Sequence, residues 1–225
     1  MLIGGFQKFS MIDYPGKTCA IVFAQGCNFR CAYCHNRSLL DRRFCQKRIA
    51  EGEINAFLEK RRGILEGVTV TGGEPLLQEN IFSFLESLKR KKYSVKLDTN
   101  GSLPERLERV VRSNLVDYIA MDVKAPLAKY SFVAGADVDT ENIKRSIDVI
   151  MRSGLDYQFR TTVGKSFLNL EDLRQICGLI RGARNYVIQK FVPPSAPEPE
   201  RTARTMDEYG DEEIRRYQDD VVNFL

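Results

Sequence analysis

The 225-residue sequence predicts an α/β fold in a single domain, built around a parallel sheet. Six short apolar runs alternate with helix-like segments, which is the pattern of βαβ units. The length suits one domain with a sizeable core. Distinct motifs follow four of the runs, and ligands of parallel α/β folds bind at the carboxyl ends of the strands. These observations together predict an enzyme with its site at that edge of the sheet.

The first element is a lead-in over residues 2–17. Two turn motifs, Gly4-Gly5 and Asp13-Tyr14-Pro15-Gly16, lie between apolar positions, and Gly, Pro and Asp favour tight turns. We therefore expect a short hairpin or an extended segment that covers one end of the core.

Six strands follow, each an apolar run that ends at turn or polar residues. They are predicted at 18–24, 67–71, 94–97, 117–121, 157–163 and 186–192. Right-handed crossovers bring the carboxyl ends of parallel strands to one side. The residues directly after the strands should therefore converge.

Apolar residues at helical spacing predict the helices. They are expected at about 54–61, 78–90, 102–112, 141–152, 170–181 and 211–224. Ser102 and Glu105 have the spacing of a capping box, and Asn169 can cap the helix after it. Gly63 and Gly154 lie where the first and fourth helices should end.

We expect residues 1–194 to form the domain. Residues 195–225 should add a linker and a helix that packs on the same domain. The segment 195–205 is rich in proline and charge, which predicts a mobile connection.

The most informative motif follows the first parallel strand, where Cys27, Cys31 and Cys34 form a C-x3-C-x2-C run. Three thiolates on one tight loop can hold three corners of a [4Fe–4S] cluster, which normally takes four protein ligands. One iron would then keep an open coordination position, as catalytic metal sites do.

Other interpretations of these cysteines stay open. A structural zinc site could take Cys45, Cys19 or His35 as its fourth ligand, although its usual signature is two separated C-x2-C pairs. Unliganded thiols are a second alternative. A disulfide framework is disfavoured because the chain is long and shows no secretory signal pattern.

Three further strands end in candidate binding motifs. Gly72, Gly73 and Glu74 follow one strand, and carbonyls with a carboxylate would suit an ammonium group. Asp98-Thr99-Asn100 and Asp122 follow the next two and offer oxygen ligands for a cation or for ribose hydroxyls. The alternatives are an ordinary turn at the glycines and an Asx turn before Gly101.

Two cations complete the candidate site. Lys124 lies beside Asp122 and would either form an ion pair with it or meet a carboxylate of a ligand. Arg160, near the end of the fifth strand, could hold a carboxylate bidentately, and an exposed surface position is the alternative.

Composition limits the partners and the location. The net charge is +4, with 34 basic and 30 acidic residues interspersed, so no nucleic-acid partner is predicted. No segment approaches 18 consecutive apolar residues, so we expect no membrane span. The amino terminus lacks a charged region followed by an apolar one, so a cytoplasmic location is expected.

The motifs together resemble those of radical S-adenosylmethionine (SAM) enzymes. In that family the amine and carboxylate of SAM chelate the open iron, and a GGE-P segment receives the SAM ammonium. The runs 5–17 and 25–36, with Asp98–Gly101 and Asp122-Val123-Lys124, resemble more narrowly the activating proteins of anaerobic ribonucleoside-triphosphate reductase. More broadly they are similar to other glycyl-radical-enzyme activases, and the resemblance covers residues 3–193.

The resemblance implies an incomplete (β/α)6 barrel and a [4Fe–4S] cluster on Cys27, Cys31 and Cys34. The residues that it assigns to SAM are Tyr33, Gly72, Gly73, Glu74, Asp98, Thr99, Asn100, Asp122, Lys124 and Arg160. It also implies a monovalent cation held by Asp98, Thr99, Asp122 and the Val123 carbonyl. The implied partners are a glycyl radical enzyme and a reduced flavodoxin or ferredoxin as electron donor.

Two competing functions follow. A radical SAM enzyme of the 7-carboxy-7-deazaguanine synthase type would act on a small molecule in a pocket enclosed by its own loops. A zinc-stabilised interaction module would use Cys27, Cys31, Cys34 and Cys45 as ligands. Zinc without iron or acid-labile sulfide would favour the module.

Overall fold

Seven strands form one sheet whose spatial order is the order of the chain. The computed structural model describes residues 1–40, 48–193, 207–222 and 224. The strands are β1 (Ile3–Ser10), β2 (Cys19–Ala24), β3 (Gly67–Gly72), β4 (Ser94–Thr99), β5 (Tyr118–Asp122), β6 (Asp156–Val163) and β7 (Tyr186–Lys190). Strands β2 to β7 are parallel, and β1 is antiparallel to β2. The predicted α/β fold with six parallel strands is confirmed.

Helices follow the strands as the periodicity predicts. They are α1 (Glu51–Lys60), α2 (Ile81–Arg90), α3 (Pro104–Arg112), α4 (Tyr130–Ala134), α5 (Thr140–Met151), α6 (Leu170–Leu179) and α7 (Asp211–Val222). Helix α4 has only five residues, too few for a periodic pattern, and the sequence analysis missed it. Asn169 caps α6 in a full capping box with Asp172, as predicted for Asn169.

Of the two forms expected for the lead-in, the structure has the extended one, because β1 extends over eight residues and pairs antiparallel with β2. One local prediction is wrong. The capping box at Ser102 does not form, since Leu103 occupies the N-cap of α3 without a side-chain bond. The Ser102 hydroxyl instead donates to Asn100 Oδ1 at 2.6 Å, which satisfies it within the loop that precedes the helix.

The main core lies between the helices and the outer face of the sheet. Helix α2 buries Ile81, Phe84, Leu85 and Leu88 completely, and full burial of each such side chain contributes roughly 1.5–3 kcal/mol. The helices cover the outer face of the parallel strands, and this packing explains the apolar residues of the strands on that face.

A second, smaller cluster closes the amino end of the barrel interior. Tyr14, from the turn after β1, packs with Cys19, Ile21, Tyr118 and Ala120 on the inner face. Its ring lies so close to β3 that a Cβ at Gly67 would be 2.9 Å from it. Because this end is filled, the interior opens toward the carboxyl ends of the strands.

Helix α7 packs on the last strand of the sheet. Ile214 and Val221 are buried in the main core, and Gln218 Nε2 donates to the Ile188 carbonyl at 3.3 Å. The predicted connection 195–205 lies outside the described residues. None of the helices in the described ranges has the length and hydropathy that crossing a membrane requires.

Candidate functional site

A cavity of about 230 Å³ opens at the carboxyl edge of the parallel strands. The three cysteines and every residue that the resemblance assigns to SAM line it, except Glu74; Val123, implied as a cation ligand, does not line it either. The convergence follows from topology, since parallel strands direct the loops that follow them to one side. Sequence reasoning missed several lining residues on the same loops and strands. They are Phe29, Asn36, Leu40, Thr71, Thr162 and Gln189.

The cysteine loop is held in place by backbone bonds from both sides. The Arg30 amide donates to the Ala134 carbonyl at 2.8 Å, which joins the loop to α4. The Gly26 amide donates to the Leu39 carbonyl at 2.6 Å and closes the loop on itself. The Arg30 guanidinium donates to the carbonyls of Cys27 and Phe29. The three cysteines are therefore presented on a braced loop rather than a free one.

Two hydrogen-bond donors face the first of these sulfurs. The Phe29 amide lies 3.4 Å from Cys27 Sγ, and the Asn100 Nδ2 lies 3.8 Å from it. Such donors stabilise a thiolate, yet burial dominates and raises the pKa of Cys27 to about 11. Burial raises the pKa of Cys31 and Cys34 in the same way. Binding of a metal to these thiols would therefore release protons.

Gly72 and Gly73 occupy positions that no other residue fits. Gly72 has φ +116°, and a Cβ there would lie 2.5 Å from backbone atoms of Ala24. A Cβ on Gly73 would lie 2.1 Å from the Gly26 carbonyl oxygen. The glycines thus allow the turn after β3 to lie directly against the cysteine loop, and both line the cavity.

Glu74 lies next to Gly73 but does not itself line the cavity. Its carboxylate accepts hydrogen bonds from the Leu76 amide, the Thr99 hydroxyl and the Asn100 amide at 2.7–3.0 Å. The side chain is fully buried, and burial raises its pKa to about 7 despite these bonds. Glu74 therefore connects the loop after β3 to the loop after β4, and its direct contact with an ammonium group stays a prediction.

The Asx-turn alternative is partly correct. Asn100 Oδ1 accepts from the Ser102 amide at 2.9 Å, which forms such a turn. Its Nδ2 donates to Asn28 Oδ1 at 2.9 Å and so reaches the cysteine loop as well. Asp98 takes no part in the turn and lines the cavity instead.

Ionic side chains from three strands form a row of alternating charge, which we call the charge ladder. Asp98, Arg160, Asp122 and Lys124 are joined in that order, by contacts of 3.1, 2.8 and 2.8 Å. The alternative that Arg160 takes an exposed surface position is wrong. Its side chain is only 14% exposed and bridges the carboxylates of Asp98 and Asp122. The ion pair predicted for Lys124 forms, and Lys124 also lines the cavity.

Electrostatics keep Asp122 and Lys124 ionised. Burial alone would raise the pKa of Asp122, but Arg160 and Lys124 outweigh it and hold that pKa well below its usual range. Burial would lower the pKa of Lys124, and Asp122 instead raises it well above its usual range. All members of these pairs therefore carry full charge at neutral pH.

The oxygen ligands implied for a monovalent cation are occupied by other groups. Asp98 and Asp122 share Arg160, and the Thr99 hydroxyl donates to Glu74. The Val123 carbonyl accepts from the Thr161 hydroxyl at 2.8 Å. A cation would have to displace some of these contacts, so the cation stays a prediction.

The aromatic wall of the cavity was predicted only in part. Tyr33 lines it, stacks on Phe167 and lies under the Lys124 ammonium, which is 5.8 Å from the ring centroid. The Tyr33 hydroxyl is buried and has no hydrogen-bond partner of normal geometry among the described residues. A buried hydroxyl at a cavity wall can be satisfied by a polar group of a ligand.

The sequence profile of the radical SAM superfamily matches residues 21–180, which contain the cysteine loop and the strand-end motifs. The chain belongs to the radical SAM superfamily. The match covers most of the chain and extends from β2 to α6, so the whole parallel sheet apart from β7 lies within it.

Relatives with stated activities share this region. A Methanocaldococcus jannaschii protein, provisionally named a glycyl-radical enzyme activating enzyme, is 31% identical over 217 residues, covering 88% of this chain and 83% of that protein. The pyruvate formate-lyase-activating enzyme of Clostridium pasteurianum is 26% identical over 203 residues, covering 85% and 81%. The 7-carboxy-7-deazaguanine synthase of Methanopyrus kandleri is 33% identical over 132 residues, covering 50% and 52%.

A solved structure shares the fold. Streptococcus suis SuiB, in a crystal structure bound to S-adenosylmethionine, aligns with a TM-score of 0.70 at 15% identity. The alignment covers 91% of this chain and 46% of SuiB, so the chain spans less than half of that structure.

The residues present fit the cofactors of the superfamily. Cys27, Cys31 and Cys34 are free thiols that line one cavity. In the described part of the chain, no three Cys, His, Asp or Glu side chains are gathered closely enough to hold a single metal ion. Cys45, required by the zinc alternative, lies outside the described residues. Buried cations, backbone carbonyls and an aromatic ring surround the cavity, which suits the charged and planar parts of SAM.

Proposed function

We propose that this protein is the activating enzyme of a glycyl radical enzyme, with anaerobic ribonucleoside-triphosphate reductase as its partner. Cys27, Cys31 and Cys34 would hold a [4Fe–4S] cluster. The observation that carries the proposal is the meeting of these cysteines with the predicted SAM residues in one cavity. The relative from Methanocaldococcus jannaschii supports it, since its name states this activity and the match covers 83% of its length.

When held by Cys27, Cys31 and Cys34, a [4Fe–4S] cluster would supply one-electron chemistry: an electron received from a flavodoxin or ferredoxin would be used for the reductive cleavage of SAM, and a hydrogen atom would be removed from a partner glycine. The protein's own residues would bind and orient SAM for this step. Lys124 and Arg160 would hold the SAM carboxylate, and carbonyls at Gly72 and Gly73 would receive the ammonium. The Tyr33 ring would pack against the cofactor.

The remaining predicted residues would shape the same pocket. Asp98, Thr99, Asn100 and Asp122 would face the ribose or a bound cation. Glu74 would act indirectly, by keeping the loops after β3 and β4 together. The mouth of the barrel would be covered by the partner's glycine loop, which would exclude water during the reaction.

The test is electron paramagnetic resonance of the anaerobically reconstituted protein with SAM, a reductant and the anaerobic reductase. We expect a glycyl radical signal on the reductase, and none when Cys31→Ala replaces the wild type. Pyruvate formate-lyase serves as a second acceptor. SAM cleavage without a radical on either acceptor would contradict the activase assignment.

The second candidate is a radical SAM enzyme that acts on a small molecule. It is favoured by the 33% identity to a 7-carboxy-7-deazaguanine synthase over half of the chain. That match is confined to 132 residues, whereas two of the activase relatives match over more than 200. We therefore favour the activase function.

A further inference from the structure

A lysine lies inside the barrel, on β4, between the two apolar residues Val95 and Leu97. Lys96 is on β4 and is only 2% exposed. Its register neighbours are Thr69 on β3 and Tyr118 on β5. Lysine is almost never fully buried unless it is paired, because removing an ammonium group from water is costly. The partner here is Asp98, which contacts the Lys96 ammonium directly.

This contact extends the charge ladder by one member. The ladder then contains two carboxylates, each between two cations, and three cations. Its order is Lys96, Asp98, Arg160, Asp122 and Lys124. Without Lys96 the count would be two cations and two carboxylates, which is neutral. Lys96 therefore supplies the one positive charge that the ladder does not neutralise.

The net positive charge of the ladder acts on the cavity from the end opposite Lys96, because that end faces the cavity. Lys96 does not line the cavity, whereas Arg160 and Lys124 do. Because Asp98 is also paired with Lys96, Asp98 neutralises less of the positive charge of Arg160. Charge interactions among buried groups are screened much less than those at the surface. An anionic group in the cavity would therefore meet a net positive potential.

Nearby acids do not cancel this charge by direct contact. The Asp13 carboxylate accepts from the Ser10 hydroxyl, and Glu74 accepts from donors of two loops. Neither forms an ion pair with a ladder member in the described part of the chain. Glu74, with its pKa raised to about 7, carries only part of a charge near neutral pH.

We propose that Lys96 is a positioning residue that makes the ladder net positive and thereby sets the affinity for the carboxylate of SAM without touching it. The proposal rests on the function proposed above, because it takes SAM as the ligand. It adds a residue outside the cavity whose effect should be confined to one group of that ligand. A lysine that only fills space inside the barrel would have no such selectivity.

The test compares two ligands with the anaerobically reconstituted protein by calorimetry. The ligands are SAM and decarboxylated SAM, which lacks the carboxylate. We expect Lys96→Met to weaken SAM binding about tenfold, the order expected for one partly screened charge. Decarboxylated SAM keeps the positive charges of SAM and lacks its one anionic group, so Lys96→Met should bind it no more weakly than the wild type does. Lys96→Arg should retain the wild-type affinity for SAM.

Lys96→Arg separates charge from packing, because it keeps the positive charge while the side chain changes shape. Iron content and thermal unfolding would verify that each variant is folded and loaded.

The results distinguish this proposal from the proposed function. Unchanged SAM affinity in Lys96→Met, or equal weakening of both ligands, would overturn the role of Lys96. A loss of SAM affinity in Lys96→Arg as large as that in Lys96→Met would also overturn it. A wild type that binds SAM but forms no glycyl radical would contradict the activase assignment and leave the role of Lys96 standing. A wild type that does not bind SAM would overturn both.

Discussion

The Phe167 ring lies stacked on the Tyr33 ring, with centroids 4.7 Å apart and planes 11° from parallel. Tyr33 lies between two of the cysteines, and Phe167 is on the loop between β6 and α6. The stack therefore joins the cysteine loop to the opposite side of the barrel mouth. Phe167 also makes an edge contact with Phe191, which follows β7.

Replacing Phe167 by Leu should weaken the site more than the fold. Loss of an aromatic pair costs about 0.5–1.5 kcal/mol of unfolding free energy beyond the lost area. We expect a lower SAM affinity because Tyr33 loses its support, measured by calorimetry alongside urea unfolding. Phe132→Leu is the matched control, since Phe132 is 76% exposed. Equal SAM affinities for the two variants would contradict this role of the stack.

The carboxyl-terminal segment supports the loop between β6 and α6, which carries Phe167. The Lys165 amide donates to the Asp207 carbonyl at 2.9 Å, and the buried Tyr209 hydroxyl donates to the Leu168 carbonyl at 2.8 Å. We expect Tyr209→Phe to lower the unfolding free energy by about 1 kcal/mol, because the Leu168 carbonyl loses its side-chain donor. Proteolysis should become faster at residues 164–168, as mass spectrometry of the fragments can determine. Tyr93→Phe serves as the control, since the Tyr93 hydroxyl donates to the Leu58 carbonyl in another part of the fold. Equal cleavage rates in both variants would argue against the support.

Glu74 makes stability depend on pH. Its pKa is about 7 in the folded protein and near 4.5 in the unfolded chain, so the folded state binds this proton more tightly. Its contribution to stability is fully present below about pH 4.5 and is lost as the pH rises through about 7. The loss amounts to about 3 kcal/mol. Glu74→Gln has no such proton and should lack this pH dependence.

Thermal unfolding of the cluster-free protein between pH 4.5 and 8 measures this effect. The wild type should lose stability relative to Glu74→Gln as the pH rises, regardless of which is more stable at the start. Parallel pH profiles for the two proteins would show that Glu74 does not titrate in this range.

The cysteines divide into two groups by position. Cys27, Cys31 and Cys34 line the cavity, whereas Cys19 and Cys177 are buried away from it. Alanine at any of the first three should abolish retention of a complete cluster after reconstitution, because each supplies one ligand. Cys177→Ala should keep the wild-type content of iron and acid-labile sulfide. Loss of the cluster in Cys177→Ala as well would point to misfolding rather than ligation.

Much of this architecture could be predicted because the signals were local. The strands β2 to β7 are apolar runs, and the glycines and acids that follow them could be placed by topology alone. The stack of Phe167 on Tyr33 could not be predicted, since it joins residues far apart in sequence through a loop without periodicity. Helix α4 is too short to show a pattern.

The sequence carries a signal for the importance of Lys96 but none for the burial of Glu74. Lys96 breaks an apolar strand, and a charged residue in such a run often marks a functional site. The burial of Glu74 gave no such signal, because a carboxylate after Gly-Gly reads equally well as a ligand or as a brace. The brace becomes visible only in the structure, where Glu74 accepts hydrogen bonds from Thr99 and Asn100.

We propose that a cluster on Cys27, Cys31 and Cys34 cleaves SAM in this cavity. Its most direct test is chromatography of the products from anaerobically reconstituted protein, SAM and dithionite. We predict 5′-deoxyadenosine and methionine in equal amounts from the wild type, and neither above background from Cys31→Ala. Wild-type protein with full iron and sulfide content that leaves SAM intact would contradict the account.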